Sequence, residues 1–518
     1  MLTAPRRPRR LGQMRRAVIS AALAVLALAA ISADAASPGF RYGVAAGEVT
    51  STSAILWTRA PNAGGVNLEV SPSRFFPGPL PLRGAPATTA NDLTVSIRVQ
   101  GLRPATLYYY RFSQIRSVSA VGIFETAPAP TAAASVRFAI SGDADATPGT
   151  NGKPGFNRFE VYARMAAERN DFNINLGDTI YSDSEVADAP VARTVPQKWA
   201  KYKLGLALPA LQKLRGAAGL YSHWDDHEFI NDFSRAEHGE AIYGAGVKAF
   251  RDYSPVTYSS TLGLYRTVRW GRNLELFFLD ERSFRSAKAT TVCGGDLAPT
   301  APQAVRDAFS SLAPALKNTV PPACLAAIND PARTMLGARQ YAAFTKAIKA
   351  SKATWKVIVN EVPIQQFYAL PYDRWEGYAA ERERLLRFLQ ANVRNVVFLT
   401  TDTHANFVNE VRYRTLGGPP EGSGIWEVVT GPVATNTFAK EIDGFLGTPG
   451  AGTAIGALFF KPPPPNGMGM RCAALDTYSY SQVTATARTL TVAMKDAKGR
   501  PVQEATGVAC APLVLTAR

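Results

Sequence analysis

The 518-residue chain is about three times the size of an average domain, so it buries a sizeable core and divides into more than one unit. Its 46% hydrophobic and 19% charged content excludes a disordered or fibrous chain. The formal net charge of +16 would by itself point to a nucleic-acid or anionic-surface binder, but part of it sits in one short segment.

Six arginines (Arg6, Arg7, Arg9, Arg10, Arg15 and Arg16) precede an apolar run over residues 17–31. That run leads into Ala33-Asp34-Ala35, a small-x-small pattern that a signal peptidase accepts. Residues 1–35 therefore read as a signal for export, giving a secreted or periplasmic protein, and the paired arginines admit the twin-arginine route beside ordinary secretion. An uncleaved anchor is the alternative. Fifteen apolar residues are short for a membrane span, and no stable span is expected in the mature chain. Without the signal, 51 basic and 40 acidic side chains leave a net of +11. All four cysteines lie beyond it, and an even count in an exported chain points to two disulfides. Proximity pairs Cys293 with Cys324 and Cys472 with Cys510; unpaired buried thiols are the alternative, and the spacing fits no zinc site.

Residues 36–130 form a first domain. Short alternating runs at 54–57, 67–70, 93–99, 107–112 and 122–124, broken by Gly, Pro and Asn, predict a small antiparallel sandwich. The stretch from Val99-Gln100-Gly101-Leu102 to Tyr108-Tyr109-Tyr110 resembles the corner of a fibronectin type III-like domain, which makes the tyrosine run structural. Residues 126–134, rich in Pro and Ala, read as a linker. From 135 to 518 apolar runs at 136–141, 172–176, 220–223, 274–279, 355–360, 395–400 and 426–430 alternate with helical segments at 159–168, 338–350 and 379–391. The second domain is therefore α/β with a largely buried sheet.

The residue that follows each strand carries the chemistry. The strands run into Gly142-Asp143-Ala144-Asp145, Gly177-Asp178-Thr179-Ile180-Tyr181, Trp224-Asp225-Asp226-His227-Glu228 and Asp402-Thr403-His404. Ligands in α/β sheets gather at the carboxyl ends of strands, so these groups converge. So many carboxylates share a pocket only with a compensating positive charge, and bound metal ions supply it most simply. Oxygen ligands with one or two imidazoles and a phenolate suit Fe(III), Ca, Mn or Zn. Only four histidines occur in the chain, and His227 and His404 both fall in these motifs.

Together these blocks resemble the PhoD-type alkaline phosphatases, members of the calcineurin-like metallophosphoesterase superfamily and relatives of the purple acid phosphatases. Further matches are Leu56-Trp57-Thr58-Arg59, Leu279-Asp280-Glu281-Arg282, Met335-Leu336-Gly337-Ala338-Arg339-Gln340 and Trp375-Glu376-Gly377-Tyr378. The resemblance implies a metallophosphatase sandwich of sheets flanked by helices, behind the all-β module. It implies hydrolysis of phosphate monoesters or diesters by a hydroxide bridging two or more metals, Fe(III) with Ca(II) first and Zn or Mn as alternatives.

By the same resemblance, Asp178 bridges the metals, Asp143 and Tyr181 bind one, Asp226 the other, and Asp402 and His404 stand where the superfamily has a Gly-His-x-His pair. Asn360 is a further candidate ligand, with a strand-capping role equally open. His227 protonates the leaving group, oriented by Glu228 or Asp225, and Arg282 or Arg285 faces the phosphoryl oxygens or simply pairs with a strand-end acid. Trp224 is expected in the core. The first strand lacks the Cys that PhoD-type enzymes commonly carry as an iron ligand, which leaves the metal, and Asp143 against Asp145, open. A phosphate-ester substrate, no specific nucleic-acid partner and a monomer are expected. A non-catalytic binding protein on a degenerate phosphatase scaffold and a phospholipase D-like diesterase are the other readings.

Overall fold

The computed structural model describes residues 39–80, 84–186 and 188–518; the signal expected over residues 1–35 lies outside them. Two sheets pack face to face. In the first, the strands Val136–Ser141, Phe172–Leu176 and Gly219–His223 run parallel, with Phe138 opposite Phe172 and Phe172 opposite Gly219. In the second, Leu274–Phe278, Trp355–Asn360, Val396–Thr400 and Glu421–Val429 are parallel neighbours. Apart from the first part of Glu421–Val429, nearly every residue of these strands is buried, so they do not alternate between an apolar and a polar face.

Phe138, Ile140, Phe172 and Ile174 of the first sheet meet Leu276, Phe278, Val357, Val359 and Val397 of the second in one core. Helices cover the outer faces. Glu160–Ala167, Val195–Leu206, Pro209–Ala217 and Arg235–Tyr253 pack on the first sheet, and Gly337–Ala350 and Ala379–Asn392 on the second. The fold is thus the expected sandwich of sheets flanked by helices. Trp224 is fully buried against Phe229 and Phe250, the core position expected for it. Among the described residues no helix is long and apolar enough to cross a membrane.

The amino-terminal module is all-β, as expected, and the tyrosine corner is present: the Arg103 backbone N–H donates to the Tyr108 hydroxyl at 3.0 Å. The module does not close on itself, however. Its strands Val44–Gly47, Ser53–Arg59 and Thr94–Gln100 extend the first sheet, with Ala46 opposite Gly219, while the others form a separate small sheet. The linker is also held, since Ala132 O accepts from Arg272 N (2.7 Å) and Ala134 O from Asn273 Nδ2 (2.6 Å). The boundary near residue 130 is a change of connectivity within a shared core.

Both expected disulfides are present. Cys472 opens the edge strand Cys472–Ala474 of the second sheet, and Cys510 lies just before Leu513–Thr516, the edge strand of the first. The bridge therefore ties the two sheets at one margin across a separation of 38 residues. Replacing both cysteines by alanine is expected to lower stability by about 2–5 kcal/mol. A fall in the urea midpoint at unchanged activity per folded molecule checks this.

Candidate metal centre

The carboxyl ends of both sets of parallel strands lie at one margin of the sandwich, and the chain leaves them through unusual backbone. Asp143 (φ 59°), Asp178 (φ 47°), Asp402 (φ 67°) and His404 (φ 53°) all occupy the left-handed region, which non-glycine residues seldom adopt. Such strain costs on the order of 1–3 kcal/mol per residue and gathers at functional sites. It is held by the sheet itself: Asp143 N donates to Gly177 O at 3.3 Å and Ala144 N to Asp178 O at 3.0 Å. Gly142 lets the two turns approach, since a Cβ there would lie 1.9 Å from Leu176 O.

Three overlapping groups of side chains that could hold a metal ion result, each with its donor atoms within 4.8 Å of one another. Asp143, Asp178 and His404 form the first, Asp178, Asp226 and His227 the second, and Asp226, Asp232 and Asp373 the third. Asp178 belongs to two of them. Asp143 is completely buried, yet neither carboxylate oxygen has a hydrogen-bond partner, and burial pushes its carboxyl up to about 7. Burial likewise raises Asp178, reinforced by the charges of Asp226, Asp225 and Glu228. Buried, unpartnered and crowded carboxylates of this kind fit bound cations. Asp145, by contrast, accepts from Thr147 N at 2.8 Å and from the Ser184 hydroxyl.

Two aromatic side chains, Tyr181 and His404, meet beside these carboxylates. The Tyr181 hydroxyl lies 3.0 Å from His404 Nε2, and His404 Nδ1 lies 2.5 Å from Glu441 Oε1, so the other face of the imidazole is fixed by a carboxylate. Burial opposes charge on His404, but Glu441 outweighs it and lifts the group to about 9. The donors are carboxylates, a phenol and imidazoles, with every cysteine engaged in a disulfide, which suits hard or borderline cations.

His227 is held from three sides. Its backbone N–H donates to Asp178 Oδ1 (3.1 Å), its ring stacks on Tyr181 at 4.1 Å, and its Nδ1 lies 2.7 Å from Asp183 Oδ1. Asp183 also accepts from Asn231 N at 2.8 Å. Burial works against a charged imidazole here, yet the carboxylates of Asp178, Asp226 and Asp183 hold His227 well above the ordinary histidine range.

The family model for the PhoD-like phosphatases matches residues 147–455, and that for their N-terminal domain matches residues 25–128. The chain belongs to the PhoD-like phosphatase family. Alkaline phosphatase D of Bacillus subtilis (strain 168) is 27% identical to it over 421 residues, 72% of this chain and 65% of that relative, so the match spans just under two thirds of the relative's length. A solved structure of PhoD superposes with a TM-score of 0.70 at 21% identity, covering 92% of this chain and 89% of that one. A purple acid phosphatase isolated from yellow lupin (Lupinus luteus) seeds superposes at 0.56 with 12% identity, covering 92% and 74%. These two likenesses show the fold.

Several expectations need correction in this PhoD-like phosphatase. Glu228 does not orient His227: completely buried, it accepts from Thr179 N (2.6 Å), Thr179 Oγ1 (2.5 Å) and Asp225 N (2.8 Å), and so ties two strand-end loops together. Asp225 does not orient it either, being paired with Arg282. The carboxylate at His227 Nδ1 is that of Asp183. For Arg282 the structure has the pairing with acids that was the other expectation. This arginine is fully buried among acids, with Asp373 at 2.7 Å, Asp402 at 3.4 Å and Asp226 at 3.8 Å. Arg285 is spent in the same way, on Asp373 and on Asp232 O at 2.8 Å.

Asp402 stands outside the three groups and lies against Arg282. Asn360 ends its strand beside Thr400 with its amide nitrogen donated to Val362 O, while its buried Oδ1 has no hydrogen-bond partner. His223 is a core residue whose Nε2 meets Leu279 O (2.5 Å) and Glu361 Oε1 (3.1 Å). The sequence reading missed Asp232, Asp373 and Glu441 as well as Asp183. For Asp373 the available signal was its place two residues before the Trp375 motif.

Proposed function

We propose that this PhoD-like phosphatase is an exported, metal-dependent hydrolase of phosphate monoesters or diesters. The observation that carries the reading is the sharing of Asp178 between two ligand groups, with the unpartnered, buried Asp143 carboxylate beside it. Asp143, Asp178, Tyr181 and His404 would hold one cation, and Asp178 and Asp226 a second, with Asn360 and Asp402 in reserve. Asp232 and Asp373 extend the acidic surface from Asp226. Fe(III) with Ca(II) fits this donor set, and Zn or Mn fits it as well. Bound there, the metals supply Lewis acidity at the phosphoryl oxygens and acidify a water for attack on phosphorus.

The chain's own contribution is the proton. His227, fixed at Nδ1 by Asp183, presents Nε2–H toward the acidic cluster and donates to the departing alkoxide as the P–O bond breaks. The two disulfides support an oxidising compartment, and the net +11 of the chain beyond residue 35 is a field that draws anionic esters toward the site.

The test measures metal content and turnover of p-nitrophenyl phosphate and bis-p-nitrophenyl phosphate on one sample. About two or more metals per chain and turnover of at least one ester are expected. A chain with less than about one metal and no turnover of either ester would return it to the class of binding proteins.

A further inference from the structure

Lys198 belongs to none of the motifs. It sits in the helix Val195–Leu206 and is completely buried. Taking an ammonium out of water costs several kcal/mol unless it is paired and hydrogen-bonded, so a lysine in such a place is there for its contacts. Its Nζ donates to Ser182 Oγ at 2.7 Å and to Phe229 O at 2.8 Å.

Those acceptors flank the proton donor. Ser182 stands between Tyr181 and Asp183, and Phe229 lies two residues beyond His227. Ser182 N already donates to His227 O at 3.0 Å, which joins the two loops on one side, and the ammonium closes them on the other. The charge also faces Asp183 and Glu228, although burial brings the lysine down to about 8. A neutral side chain of the same length would fill the volume and make neither hydrogen bond.

We infer that Lys198 is a positioning residue for leaving-group protonation, clamping the Tyr181–Asp183 loop to the His227–Phe229 loop so that the Asp183–His227 pair stays aligned. The inference rests on the proposed phosphatase activity. In that reaction a water-derived oxygen forms a new bond to phosphorus as the ester P–O bond breaks, the electron pair of the broken bond goes to the leaving oxygen, and the proton of His227 Nε2 goes to the same atom. An ester with p-nitrophenolate as leaving group needs little of that proton, whereas an alkyl ester needs all of it.

Lys198→Met is therefore assayed in the full chain, loaded with metal, on p-nitrophenyl phosphate and on an alkyl phosphate, each as monoester and diester. A fall of about 10- to 100-fold in kcat on the alkyl ester is expected, with at most a few-fold fall on the nitrophenyl ester and unchanged metal content and KM. Ser182→Ala, which removes one acceptor and is less disruptive to fold, is expected to move the same ratio in the same direction. Equal losses on both esters, or none on either, in both variants would overturn the role of Lys198 while leaving the phosphatase reading intact. A wild-type chain inactive on every ester would overturn both.

Discussion

Replacing Asp178 by alanine is expected to abolish binding of both metals and turnover together. Asp178 is the member common to two ligand groups, so its loss halves the carboxylate supply of each, and it also accepts the backbone N–H of His227. Lewis-acid stabilisation worth several kcal/mol disappears with the metals, a fall on the order of 10³- to 10⁴-fold or more in kcat/KM at 1.36 kcal/mol per decade. Stability of the metal-free protein moves the other way. Burial and the charges of Asp226, Asp225 and Glu228 raise Asp178, so without cations this carboxylate is a burden on the fold, and alanine removes it.

The apo variant should therefore melt no lower than the apo wild type, while the wild type alone gains stability on adding metal. Metal analysis beside thermal melting with and without chelator checks both halves. Retention of one metal at full occupancy, or full activity, would show that Asp178 does not bridge.

Much of the candidate centre was legible because Asp143, Asp178, Asp226, Asp402 and His404 lie just beyond buried strands. The runs 136–141, 172–176 and 355–360 coincide with the strands Val136–Ser141, Phe172–Leu176 and Trp355–Asn360, and apolar β-branched composition marks them directly. The acids at their ends then fall together by topology. What stayed hidden depends on pairings that no local pattern encodes. Ser479–Ala485 is a central strand of the first sheet, antiparallel to Val136–Ser141, yet it reads Ser-Tyr-Ser-Gln-Val-Thr-Ala. Its polar side chains are satisfied inside, as when Ser481 Oγ meets Thr430 Oγ1 at 2.7 Å, so burial left no hydrophobic signature.

Asp183 is separated from His227 by 44 residues and Glu441 from His404 by 37, and each looks in sequence like an ordinary surface acid. Glu228 was misplaced for the converse reason, and of the two readings open for Arg282 the pairing with acids is the one present. Adjacency in sequence put them next to the chemistry, while the turns aim Glu228 at Thr179 and Arg282 at Asp225, Asp373 and Asp402. The amino-terminal module joins the first sheet through the pairing of Ala46 with Gly219, which no linker composition announces.

His227→Gln is expected to lower kcat by about 10²- to 10⁴-fold on alkyl phosphate esters and far less on p-nitrophenyl esters, with metal content preserved. Glutamine keeps the backbone N–H to Asp178 and offers no proton of suitable acidity to a leaving alkoxide. The pH profile separates the role of Asp183. Burial lowers His227 and the carboxylates of Asp178, Asp226 and Asp183 raise it in the metal-free chain; of these only Asp183 lies outside the proposed ligands, so its charge is the one that still favours the protonated general acid once cations are bound.

Asp183→Asn removes one of those anions and the acceptor for Nδ1, so the alkaline limb for the alkyl ester should move to lower pH and the limiting rate should fall by less than in His227→Gln. The double variant should be no slower than His227→Gln alone, since Asp183 has nothing left to orient once the imidazole is gone. Additive losses in the double variant would mean that Asp183 acts through Asn231 and its loop instead, and that the leaving group takes its proton from elsewhere.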